Sequence, residues 1–114
     1  FRKYFSTHPE IILQKESGFH TYFGFSILLP KSIDRNDLAS YLHNEGIETR
    51  PVLAGNFLKN PVLKHLNYSI SGSFDNSDYI DEHGLFFGSH NRDLSEIFQK
   101  TFERFENYLS KNGY

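Results

Sequence analysis

In Gly46-Ile47-Glu48-Thr49-Arg50-Pro51-Val52-Leu53-Ala54-Gly55-Asn56-Phe57-Leu58-Lys59-Asn60-Pro61 a helix ends, a short strand runs and a turn follows. Gly46 is placed to be the left-handed residue that closes the preceding helix and satisfies its last carbonyls. Residues 47–53 then read as a strand. Pro51 has no N–H for a ladder, so that strand is expected at a sheet edge. Gly55 in the following turn can take backbone angles closed to other residues. Asn60 and Pro61 are expected to open a further helical turn as N-cap and first residue. Glu48, Arg50, Asn56 and Lys59 are thereby crowded around a strand end and its turn, where a scaffold can hold groups while exposing them.

Toward the N-terminus, residues 35–45 read as the helix that Gly46 ends. Asp34 is its expected N-cap, Asp37 suits the positive end of its dipole, and Leu38, Tyr41 and Leu42 form its apolar stripe. Before it, residues 19–29 form the strongest strand pattern. Phe19, Thr21, Phe23 and Phe25 are expected on one face, with His20, Tyr22, Gly24 and Ser26 on the other. Gly24 in mid-strand points to a bulge or to the close approach of another backbone or a ligand. Residues 11–14 could add a short strand, and residues 1–5 read as a helix remnant followed by a linker.

Toward the C-terminus, residues 68–78 are a polar loop, and Asn76 or Ser77 is expected to cap a short helix through His83. Residues 84–88 (Gly-Leu-Phe-Phe-Gly) read as a buried strand with its exit at 89–92. In the last helix, Asp93 and Glu96 suggest a variant capping box. Leu94, Ile97, Phe98, Thr101, Phe102, Phe105, Tyr108 and Leu109 form its stripe, and Gly113 ends it. Strands and helices in this order predict an α+β fold. It is a small two-layer sandwich, a partly antiparallel sheet with helices on one face.

With 114 residues, one domain is expected, and a net charge of -2 gives no electrostatic pull toward nucleic acid. No apolar run approaches the roughly 20 residues of a membrane span, and no leader pattern is seen, so a cytoplasmic location is the default. Cysteine is absent, which removes disulfides and thiolate chemistry. Met is absent too, and the chain opens on Phe1-Arg2-Lys3-Tyr4-Phe5, so a piece of a longer protein is expected.

The six histidines show no metal-ligand spacing, so no metal is expected. His90 stands out because it follows a glycine-bounded strand. Glu48 and Arg50, two apart, share one side of a strand. They could form an exposed ion pair worth under about 1 kcal/mol. The residues alone favour that reading over its alternative, a guanidinium aimed at a carboxylate or phosphate. Phosphate-cradling glycine loops and Ser-His-Asp arrangements are missing.

Residues 46–61 together with 83–90 resemble the C-terminal domain of the DegT–DnrJ–StrS type family of pyridoxal-phosphate enzymes acting on nucleotide sugars. Glu48-Thr49-Arg50-Pro51 followed by Ala54-Gly55-Asn56 is most similar to the branch that removes the 3-hydroxyl of GDP- or CDP-linked 4-keto-6-deoxyhexoses. The sugar aminotransferases more usually carry a His-Tyr-x-Pro-type turn there.

The resemblance implies the C-terminal small domain of the aspartate-aminotransferase fold over residues 1–114, with residues 1–10 left from an interdomain helix and linker. It implies pyridoxal or pyridoxamine 5'-phosphate in the full-length protein, bound by residues outside this chain, and a homodimer. The parent would load an amine from a donor such as glutamate and return a 3-deoxy ketone for lipopolysaccharide sugar synthesis. A CDP-linked substrate would add an iron–sulfur reductase. Within this chain it implies no catalytic residue. Its implied substrate-binding residues are Arg50 on the sugar or diphosphate, Glu48 on hydroxyls, and Asn56 and His90 at the rim. A sugar 4-aminotransferase of the same family and a non-enzymatic α+β ligand-binding module are the alternative readings. The exposed interdomain surface is expected to carry an apolar patch.

Overall fold

The computed structural model describes residues 1–19 and 21–114. The expectation for His20 lies outside the described residues. The elements are α1 (Arg2–Phe5), β1 (Ile12–Leu13), β2 (Gly24–Leu28), α2 (Arg35–Asn44), β3 (Thr49–Pro51), α3 (Asp75–His83), β4 (Gly84–Gly88) and α4 (Ser95–Asn112). Two 3-10 turns, Phe57–Lys59 and Pro61–His65, fill the connection from β3 to α3.

The strands form one sheet in the order β1-β2-β4-β3, and every pairing is antiparallel. β3 is an edge strand, as Pro51 requires. Period-two alternation sends Ile27 of β2 and Leu85 and Phe87 of β4 to one face. There they meet Phe5 of α1, Leu38 and Leu42 of α2, and Phe105, Tyr108 and Leu109 of α4 in one buried cluster. Each such side chain contributes about 1.5–3 kcal/mol by leaving water. α3 departs from this layer. It runs without a loop into β4, and its Ile80 lines a hollow with Ser26, Leu28 and Val52 on the other face.

The helix ends follow local chemistry. The Asp34 carboxylate accepts from the N–H groups of Asn36 and Asp37 at 2.8 and 3.0 Å. Gly46 has φ +79°, and the N–H groups of Gly46 and Ile47 return to the carbonyls of His43 and Leu42. That is a Schellman closure. Asn60 caps the second 3-10 turn through the Val62 N–H at 3.0 Å.

Three expectations are corrected. The long strand expected over 19–29 is described as Gly24–Leu28, because β4 ends at Gly88 opposite Gly24 and leaves residues 21–23 no ladder to join. The alternation also breaks there: Tyr22 stacks on Phe25, and Phe23 lies by Phe86. α3 starts at Asp75, earlier than a cap at Asn76 or Ser77 allows, with the Ser73 hydroxyl accepting from the Asp75 N–H. In α4, Asp93 accepts from the Ser95 N–H at 2.9 Å, but Glu96 pairs with Lys100 instead of completing a capping box. Ile97 is half exposed at the margin of its stripe.

Candidate functional site

The face of the sheet turned away from α2 and α4 carries the candidate site. In register across three strands lie Ser26 of β2, Phe86 of β4 and Arg50 of β3. Glu48 stands two residues before Arg50 on the same side, and the Arg50 Nη2 donates to Glu48 Oε1 at 3.0 Å. Both side chains are largely in water, 68% exposed for Arg50 and 73% for Glu48. The pair is weak as a source of stability. Its effect is to hold a guanidinium in a set orientation at the lip of a hollow of about 270 Å³. Phe86, Phe23 and Leu53 supply the apolar walls, and Gly88 and Ser89 at the end of β4 close it.

Gly24 explains the floor. A Cβ built there would stand 2.1 Å from Phe86 Cζ, so the ring lies across the strand where a side chain would otherwise project. The nearest approach at Gly24 is thus made by a side-chain ring, in place of the expected backbone or ligand.

Asn56 does not join that hollow. It is buried, 8% exposed. Its side-chain oxygen accepts from the Leu58 N–H at 2.9 Å and its amide donates to Asp78 at 2.8 Å. Next to it, Lys59 Nζ reaches Asp81, Asp78 and Glu82 on α3 at 3.0, 3.1 and 3.4 Å. The bonds from Asp81 and Asp78 hold the lysine well above its usual range. The Asn56 amide, and then Lys59, hold the Asp78 carboxyl below its own. Asn56 and Lys59 thus fasten the segment after β3 onto α3. His90 is exposed beyond Ser89, with its Nδ1 accepting from the Arg92 N–H at 3.0 Å. Among the described residues, no group of His, Asp and Glu is placed to hold a metal ion, and no helix is long and apolar enough to cross a membrane.

No protein-family model matches the chain. The GDP-4-keto-6-deoxy-D-mannose 3-dehydratase of Yersinia pseudotuberculosis is 47% identical over 105 residues, which cover 90% of this chain and 27% of that protein. The solved Escherichia coli GDP-4-keto-6-deoxy-D-mannose-3-dehydratase with bound hydrated PLP superposes with a TM-score of 0.85. It is 37% identical, with 90% of this chain and 27% of that one covered. The chain is similar to these sugar 3-dehydratases over nearly its whole length. It corresponds to their C-terminal portion and spans about a quarter of their length. A variant solved with bound GDP-perosamine matches at a TM-score of 0.84, 37% identity, 90% of this chain and 28% of that one.

Among the described residues, Lys59 and Arg50 do not offer a fit to the cofactor seen in the E. coli relative. Lys59 is held as a cation by three carboxylates, and the Arg50 guanidinium is paired with Glu48 at the lip of the apolar hollow. No residue here is assigned to pyridoxal phosphate. Sequence reasoning missed Phe86, Phe23 and Leu53 as walls. The available signal was Gly24, whose missing side chain implied a group lying across it.

Proposed function

We propose that the full-length protein containing this chain is a pyridoxal-phosphate-dependent 3-dehydratase of GDP-4-keto-6-deoxymannose or a close analogue. Residues 1–114 are its substrate-contacting C-terminal domain, and residues 1–10 lead in from the remainder. The cofactor, bound by residues outside this chain, supplies the electron sink for loss of the 3-hydroxyl. The observation that carries the reading is the Glu48–Arg50 pair at the lip of a hollow on the sheet face turned away from α2 and α4. Arg50 donates to the sugar or its diphosphate, Glu48 accepts from sugar hydroxyls, and the pairing sets the orientation of both. His90 stands at the outer rim. Asn56 supports the rim from beneath, through the segment it pins.

The relatives' dehydration, and their GDP-linked sugar, favour this over transamination. The protein works in the cytoplasm, where nucleotide sugars are made, as a homodimer. An iron–sulfur reductase belongs to CDP-linked chemistry and is not part of the proposal. The test is titration of GDP-perosamine into the full-length protein and its Arg50→Ala variant. Loss of a charge-assisted contact is expected to weaken binding at least about tenfold. Equal affinity in a folded variant would overturn the assignment.

A further inference from the structure

The hollow under Arg50 has an apolar side that hydrogen bonds to hydroxyls or phosphate leave unused. Phe86 lies in register between Ser26 and Arg50, with its ring laid across Gly24. Phe23 stands beside it with ring centroids 6.0 Å apart. Phe23 is 83% exposed and Leu53 72% exposed, so two large apolar groups face open space next to an ion pair. Covering such groups is favourable by about 25 cal/mol for each Å² removed from water. A complementary ligand is therefore apolar along one edge and rich in hydroxyls along another. A 6-deoxyhexose has this division, because C6 is a bare methyl group while the rest of the ring carries oxygen.

We propose that Phe86, flanked by Phe23 and Leu53, seats the C6 methyl of the sugar and selects 6-deoxy over 6-hydroxy sugars. The inference rests on the proposed nucleotide-sugar role of Arg50 and names the part of the ligand that the rest of the same hollow reads. A hydroxyl at C6 would be pressed against aromatic carbon with no partner, which is the basis of rejection. Gly24 contributes clearance: without it the ring could not lie flat.

The experiment is calorimetric titration of the full-length protein with GDP, GDP-mannose and GDP-6-deoxymannose. The unaltered protein is expected to bind the 6-deoxy sugar about tenfold or more tighter than GDP-mannose. Phe86→Ala is expected to bring that ratio close to one while leaving GDP affinity unchanged. Phe23→Ser, at an exposed position that the fold does not need, is expected to lower the ratio part-way and guards against misfolding of the first variant. An unaltered protein without preference, or folded variants that keep the full ratio, would overturn the methyl seat. Failure of the broader reading looks different: Arg50→Ala would then leave both GDP sugars unaffected.

Discussion

Asn56 and Asp78 are joined at 2.8 Å, the amide of a residue just after β3 donating to a carboxylate on α3. The other end of the same side chain accepts from the Leu58 N–H. Asn56→Ala removes both bonds from a buried position and is expected to cost about 1–3 kcal/mol in urea unfolding. Asn56→Asp keeps the acceptor for Leu58 but sets a second carboxylate against Asp78. At pH 7 it is expected to be the more destabilising of the two. Repulsion raises the new group in the folded state, so the loss should shrink as pH falls into the carboxylate range, about pH 4. A loss independent of pH would show that the two side chains are apart.

His8 links the segment after α1 to α4, with Nδ1 on Glu10 at 2.8 Å and Nε2 on Glu106. Its ring also packs on Phe102 and Phe105. Burial alone would push the imidazole down, but the bonds to Glu106 and Glu10 outweigh it and hold it above 6.5. A group raised on folding stabilises fully below its unfolded value and loses that contribution as pH rises through the folded one. The stability difference between the unaltered protein and His8→Gln is therefore expected to be largest near pH 6 and to narrow toward pH 9. Unfolding titrations across that range read it directly. A difference that grows with pH would mean the imidazole is neutral when paired.

Why some of this could be read from residue order and some could not follows from the range of the interactions. Asp34, Gly46, Asn60 and Gly113 act on the few residues next to them, so their chemistry is visible locally. Pro51 lacks a donor wherever it sits, and edge placement followed. The length of β2 depended on where β4 ends, a fact about residues some sixty positions away. Asn56 and Lys59 were read as crowded around the end of β3 because they are polar and follow a strand. Their partners, Asp78, Asp81 and Glu82, lie on a helix whose packing no local pattern announces. Glu48 and Arg50 share a side because of strand period alone, and the structure keeps them paired. The ring across Gly24 needed the register of β2 against β4.

Gly46 separates backbone from packing. Its φ is +79°, and a Cβ there would meet no atom within 4 Å. Gly46→Ala should therefore cost only the left-handed conformation, about 1–2 kcal/mol. Gly46→Asn should cost less, since asparagine visits that region more readily. The comparison is thermal unfolding of the two variants. Equal losses would point to a steric cause and contradict the open space around Gly46.

Tyr108 ties the two long helices of the covered face. Its ring is 3% exposed, and its hydroxyl donates to Asp37 in the first turn of α2 at 2.8 Å. Burial, and then the Asp37 carboxylate, raise the phenol far above its ordinary value. Two variants divide its contribution. Tyr108→Phe keeps the ring and removes the donor, and Asp37 can turn to water, so a loss of about 1 kcal/mol is expected. Tyr108→Ala also opens a cavity between α2 and α4, for which about 3–5 kcal/mol is expected. Most of the effect thus lies in packing rather than in the hydrogen bond. Urea unfolding of both variants against the unaltered protein measures the split. A Tyr108→Phe loss close to that of Tyr108→Ala would reverse it, placing the anchor of α4 in its polar tip.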